Sequence, residues 1–486
     1  MKDIIKYSGY NHRFLARFVI EAATPLAVGS GEKDILTDAL VATDVNGLPY
    51  IPGTAIAGVV RHMIDDIERE MNTERFDSLK VKERESSAYF GYQDRSDGGR
   101  GSEIIFSEAK ILNSNGMVVD GISLDAIDND SLLQSYKELP IRQHVHINEK
   151  GVKAEHGKFD EQVCFAGTRF CFELEMVAKE DTIEKFDKIL EQVQSQTFRI
   201  GGGTRSGFGK IKVVDMQTKM LDLKNGDELQ LYLKKSSNLS ETWGGWEQKA
   251  VDIKPSSGWT EYELKLQPED FFLFGSGFGD DEVDMTPVKE KKVVWKDGRG
   301  EMTEDLVLIP AASVKGALAH RVAYHYNRLT GVFAENLTTD EERKKVVGKN
   351  NEAVKELFGS EGEIDKNSNE MKDQKRGNLL FSDVIMNEKM NDKILNHVAI
   401  DRFTGGAIEG ALFSEKTTYG KGQEFTMTIL ADNSVLKGKV KEALEEALKD
   451  ICKGLLPLGG GVNRGNGVFT GSLKQQDTIL YQEKEA

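Results

Sequence analysis

The chain has 486 residues, 39% hydrophobic and 30% charged, which describes a folded protein and excludes a disordered chain. That length exceeds what one hydrophobic core serves, so two domains are expected. A formal net charge of −16 excludes a uniformly basic nucleic-acid binder but leaves room for a basic groove.

Three cysteines, Cys164, Cys171 and Cys452, make neither a disulfide framework nor a paired zinc site. No apolar run reaches the ~18 residues that span a membrane. The start, Met1 to Tyr7, lacks the apolar centre of a signal peptide, so a cytoplasmic setting without membrane contact is expected.

In chain order, Phe14 to Ala23 reads as a strand, and a polar loop leads to Ile51-Pro52, where a helix starts. An amphipathic helix is expected from Thr182 to Gln194. The loop Gly201-Gly202-Gly203-Thr204-Arg205-Ser206-Gly207-Phe208-Gly209 follows, then a strand from Lys210 to Val214. The connection after residue 215 carries serine-rich stretches, and Glu228 to Leu233 within it alternates like a strand. The series then restarts: a strand from Thr260 to Leu266, a helix at Ile309-Pro310, a charged stretch from Glu335 to Gly377 and a helix from Val440 to Leu455. The loop Gly459-Gly460-Gly461-Val462-Asn463-Arg464-Gly465-Asn466-Gly467 and a strand from Val468 to Leu473 close it.

This order reflects a duplication. Pro52 to Gly58 recurs as Pro310 to Gly316, and Gly201 to Gly209 as Gly459 to Gly467, each 258 residues on. Phe90-Gly91, Phe106-Ser107 and His144-Val145 recur in the same order as Phe358-Gly359, Phe381-Ser382 and His397-Val398. Helices alternating with an antiparallel sheet fit an α+β, ferredoxin-like core in each half. The expected division is a first domain at 1–235, a linker at 236–258 and a second domain at 259–486. The charged insertion lies around 331–377.

The glycine loops are not nucleotide fingerprints. A dinucleotide loop runs strand–loop–helix, whereas these run helix–loop–strand, and Gly209-Lys210 is followed by Ile211 rather than a hydroxyl residue. An arginine in each loop suits phosphate. The rival reading is a glycine turn that merely reverses the chain.

At these residues the sequence resembles the RAMP superfamily of CRISPR-associated proteins. The resemblance rests on Gly29-Ser30-Gly31, on Asp44 to Gly53 with Gly58 and Arg61, on Ile400 to Ala407 with Gly410 to Glu415, and on both glycine loops. Two such units in one chain look like the fused backbone subunit of a type III-D effector. The resemblance implies RRM-like palms with β-hairpin thumbs, the first around 111–165, that hold CRISPR RNA and target RNA beside other effector subunits. It also implies that a loop aspartate cleaves target RNA with a divalent metal, magnesium or manganese. Carried over, that aspartate is Asp38, which would also hold the metal, with Asp34 as runner-up. In the second half the alignment is open among Asp280, Asp281 and Asp284, with Asp284 preferred for the following Thr286-Pro287-Val288.

RNA contacts are expected from Gly201, Gly202, Gly203, Arg205, Lys210, Arg61, Arg142, Lys315, Arg321, Arg402, Gly459, Gly460, Gly461 and Arg464. Ile147 and Phe403 join Arg142 and Arg402 as hairpin wedges. Two alternatives stay open: a purely architectural subunit, and a metal-independent nuclease using histidine. A zinc site from His144, His146, His156 and Cys164 lacks standard spacing. His144 and His397 correspond, which suits a shared structural role.

Overall fold

The computed structural model of the protein describes residues 9–33, 37–94, 98–148, 151–179, 182–253, 256, 258–364 and 371–482. In the first half, β1 (His12–Ala22) buries Phe14, Ala16, Phe18, Ile20 and Ala22 on one face, the period of two that a strand imposes. Helix α1 (Gly53–Met71) starts at Pro52 and packs Ile56, Val60 and Ile64, spaced one helical turn apart, against that face. Next come β2 (Ile104–Phe106), the hairpin of β3 (Ile141–Ile147) and β4 (Lys153–Gln162), then β5 (Arg169–Ala178), α2 (Ile183–Val193) and β6 (Ile211–Asp222). The sheet runs β6–β1–β5–β2 and is antiparallel throughout.

After β6 comes a helix, α3 (Gly226–Leu233), where alternation suggested a strand. Asn225 caps it by accepting the Asp227 N–H, and adjacent Leu231 and Tyr232 both pack inward, which a strand could not achieve. With Trp243 and Trp246 they cover Leu15 and Leu221 on the sheet face opposite the helices. Tyr232 bonds Glu175, and Lys235 and Arg17 both pair with Glu173. Much of the expected linker is therefore a lid on the first domain.

The second half repeats the plan with β7 (Trp259–Pro268), a hairpin of β8 (Val293–Lys296) and β9 (Arg299–Met302), α4 (Ala311–Thr330) and β10 (Leu379–Leu380). It continues with a long hairpin of β11 (Asp392–Ile400) and β12 (Ala407–Tyr419), then β13 (Phe425–Asp432), α5 (Gly438–Cys452) and β14 (Phe469–Gln475). Its sheet runs β14–β7–β13–β10, again antiparallel. Among the strands of each sheet these four thus lie in the order fourth, first, third, second, with short strands added at the edges. The charged stretch after α4 includes two short helices, Asp340–Val346 and Glu352–Phe358. In the first half the hairpin occupies only 141–162 of the span expected for a thumb. Val119, Ile127, Leu132 and Leu133, ahead of it, lie in the core.

Two devices join the halves. The β8–β9 hairpin reaches back onto the first half: Val293 enters that core, and the Trp295 indole N–H donates to Gly167 O at 2.8 Å beneath the Arg169 guanidinium. Arg142, expected on RNA, is 5% exposed and lies inside the junction. It forks onto both carboxylate oxygens of Glu290, with Nη2 2.8 Å from Oε2, and its Nη1 bonds Asp383. Asp383 also accepts the Ala311 N–H at 2.7 Å and so caps α4. Phosphate would have to displace two buried carboxylates to reach this arginine.

Arg142→Ala leaves those carboxylates buried without their cation, so it should lower unfolding stability by about 3–5 kcal/mol. Urea unfolding monitored by tryptophan fluorescence measures this, and a loss below about 1 kcal/mol would show the clamp to be dispensable.

Candidate nucleic-acid interface and loop aspartates

The loop after the first strand is built alike in both halves. Gly29 bridges Val41 in one, and Gly275 bridges Pro287 in the other, a constant separation of 246 residues. The glycine loop docks behind it each time: Gly202 N–H donates to Ala27 O at 2.7 Å, and Gly460 N–H to Leu273 O at 2.6 Å. A Cβ at Gly201 or Gly459 would meet those same carbonyl oxygens at 2.5 and 2.4 Å. Part of the glycine requirement is therefore internal packing, and the Gly202 and Gly460 amides are already used.

The same separation pairs Asp38 with Asp284. Asp38 Oδ2 accepts the backbone N–H of Asp160 on β4 at 3.1 Å, while Asp38 N–H donates to Asp160 Oδ1 at 2.9 Å. Asp284 Oδ2 accepts the backbone N–H of Ser414 on β12 at 2.8 Å, while Asp284 N–H donates to Ser414 O at 3.1 Å. Each aspartate is latched to the same point of its hairpin, and of the three open positions in the second half Asp284 is the one that stands in this register. Asp34 lies outside the described residues. Asp280 pairs with Lys416, whose ammonium, with two backbone amides, holds the carboxyl below its ordinary value.

Behind each latch stands a repeated trio. His144 stacks on Phe159 with centroids 4.8 Å apart and lies 2.9 Å from Glu161. His397 stacks on Phe413 at 4.8 Å and bonds Glu415 at 3.1 Å. Both histidines brace their hairpins. Among the described residues no group of three or more histidine, cysteine, aspartate or glutamate side chains converges as a metal cage. The His156 side chain lies outside them.

Cations gather where the first glycine loop meets the second half. Arg199, 5% exposed, donates to Ser382 Oγ at 3.1 Å, and its Nε has no partner among the described residues. Arg205 donates to Gly377 O beside Arg376, and Lys315 on α4 reaches Ser206 Oγ at 3.4 Å. Burial, then repulsion from Arg205, pushes Arg199 down to about 10, and burial with Arg376 does the same to Arg205. Lys210 and Lys315 are lowered by burial and then by Arg199 and Arg205 respectively. Asp383, Asp66, Asp432 and Glu261 offset this only in part. Like charges held together with incomplete neutralisation form a site that an anion stabilises.

Other expected contacts scatter. Arg321 pairs with Asp450, and Arg464 with buried Glu415. Arg61 lies half-buried on α1 beside Ser87. Arg402 sits at the exposed tip of the second hairpin next to Phe403, which is 96% exposed, and Ile147 is exposed near the tip of the first. Sequence reading missed Arg199 and Arg376. Arg199 stands two residues before the first glycine loop, a signal that could have been used.

Two tests follow from the cluster. If Arg205 and Lys315 hold phosphates, replacing both with alanine should flatten the slope of log K against log salt for single-stranded RNA by about 1.4. Lowered lysine pKa values also mean that an anion draws protons onto Lys210 and Lys315. Affinity should therefore fall as pH rises toward the ordinary lysine value of 10.5. Fluorescence anisotropy measures both, and an unaltered slope with a flat pH profile would remove the assignment.

No curated protein sequence matches the chain. No helix among the described residues is long and apolar enough to cross a membrane. The model of the RAMP superfamily matches residues 19–212 and again 300–470, one match in each half of the duplicated fold. The chain belongs to the RAMP superfamily, which it carries as two tandem domains.

Proposed function

We propose that this protein is a tandem backbone subunit of a type III, III-D-like, CRISPR effector ribonucleoprotein that binds guide and target RNA and cleaves the target. RAMP membership points to a CRISPR-associated RNA-binding subunit. The observation that carries the finer reading is the doubled latch, in which one loop aspartate is fixed to the same point of a projecting hairpin in each half. In this reading each half is a ferredoxin-like palm, consistent with its strand order, and each hairpin is a thumb. The cation cluster would hold phosphates without reading bases, which leaves guide bases free to pair.

For cleavage, Asp38 and Asp160 offer two adjoining carboxylates. Magnesium or manganese accepts one or two carboxylates together with phosphate oxygens and water, so this pair fits such an ion. The ion would supply charge stabilisation at the scissile phosphate. The protein would fix the aspartate against the hairpin and hold the flanking phosphates, so that the 2′-hydroxyl is aligned for attack. In the second half Ser414 replaces Asp160 and Lys416 pairs with Asp280 and Glu282, which favours an architectural role there.

In the assembled complex with magnesium, Asp38→Ala should abolish one cleavage position of an end-labelled target while RNA affinity stays within about twofold, because affinity comes from dispersed contacts. Any second product should respond to Asp284→Ala and not to Asp280→Ala or Asp281→Ala. Retention of every product in Asp38→Ala would exclude that residue.

A further inference from the structure

The glycine loop of the first half runs directly along the second half. Gly207 bridges Ser382 in parallel register, and the Asp383 N–H donates to Gly207 O at 3.2 Å. A Cβ at Gly207 would lie 2.2 Å from Asp383 Oδ1, so the two backbones meet with nothing between them. Positive groups cross this seam in both directions. Arg205, from the first half, donates its Nε to Gly377 O of the second, and Lys315, from the second, meets Ser206 Oγ of the first at 3.4 Å. Burial and then the Arg205 charge lower the Lys315 ammonium, which puts the two within electrostatic reach.

Behind them stands Arg199, 5% exposed, with Nη2 on Ser382 Oγ and Nε without a partner among the described residues. The acid that offsets it, Asp383, is already held by Arg142 and by the Ala311 N–H. Arg376 nearby is answered across the seam by Asp66 at 2.8 Å, whereas Arg199, Arg205 and Lys315 form no ion pair among the described residues. The joint therefore closes against its own charge. Cations on both sides suit a phosphate, whose oxygens point to both, better than a planar carboxylate, which a single guanidinium satisfies.

We propose that the seam binds a phosphate group between Arg205 of the first half and Lys315 of the second, backed by Arg199, and that its occupancy holds the two halves closed. Only the closed arrangement brings both cations to one anion, so by linkage the anion stabilises that arrangement. This adds a regulatory consequence to the phosphate site proposed above and rests on that reading of the cluster, though not on target cleavage. The phosphate comes from an RNA backbone or from free phosphate, and the two sources are separated by experiment.

The test follows deuterium exchange of the Asp383 amide in the full chain, since that amide is released when the seam opens. Inorganic phosphate is compared with chloride at equal ionic strength, because general screening relieves repulsion in both. Phosphate at about ten times its dissociation constant should slow this exchange about tenfold, as opening then requires the anion to leave. In Lys315→Met the exchange without phosphate should be no faster than in the wild type, and the phosphate response should fall below about twofold. Arg205→Gln, which keeps a donor for Gly377 O, should lose the response as well and replaces Lys315→Met if that variant misfolds. Equal effects of chloride and phosphate, a full response in both variants, or faster exchange in phosphate-free Lys315→Met would overturn the proposal. A parallel arm uses single-stranded RNA, with affinity read by anisotropy. RNA that binds and slows the exchange makes its backbone the source of the anion. Slowing by phosphate but not by RNA leaves the seam a site for free phosphate and ends only the RNA reading of the cluster. RNA binding with no slowing by either ligand overturns the proposal and leaves RNA binding intact.

Discussion

The arrangement of the two halves depends on one buried guanidinium. Arg142 joins the base of the first hairpin to Glu290 on the second loop and to Asp383, which in turn caps α4. A buried ion pair of this kind contributes modestly to net stability, because desolvation offsets its attraction, but it tolerates few geometries. Its gain is register. With Arg142 fixed, Gly207 lies against Asp383 and Ala311 so closely that no side chain fits, and Arg199, Arg205 and Lys315 are brought into one cluster. The cation cluster thus sits where the clamp brings the halves together.

The duplication is read most clearly where the copies agree. Strand order, the docking of each glycine loop, the stacked histidine and the latched aspartate all recur. The copies differ in side-chain chemistry at matched positions such as Arg142 against Leu395, Arg169 against Glu424, and Asp160 against Ser414. Conformation has been kept while the chemistry at these positions has separated, and Arg142 and Arg169 serve the contact between the halves.

Much of this was legible in the sequence. The β1 and β7 strands, the helices at Pro52 and Pro310 and both glycine loops follow from periodicity and punctuation, which are local signals. The preference for Asp284 rested on the three residues after it, a local pattern, whereas its latch to Ser414, 130 positions away, could not be read locally. What escaped reading was long-range. Arg142 looks like any hairpin cation until partners 148 and 241 positions away enclose it. The helix Gly226–Leu233 and the tryptophans after it read as connection because what they cover, Leu15 and Leu221, is itself set by tertiary packing.

The β8–β9 hairpin bears on how the chain acquires its structure. Val293 belongs to the hydrophobic core of the first half, although it lies beyond that half's last strand and beyond the first strand of the second. During synthesis the amino-terminal half therefore emerges with a gap in its core that closes only when the later hairpin arrives. The two domains cannot mature as separate beads. The first waits, partly open, for the second, so a truncation that respects the domain boundary would leave an apolar cleft for chaperones or aggregation to find.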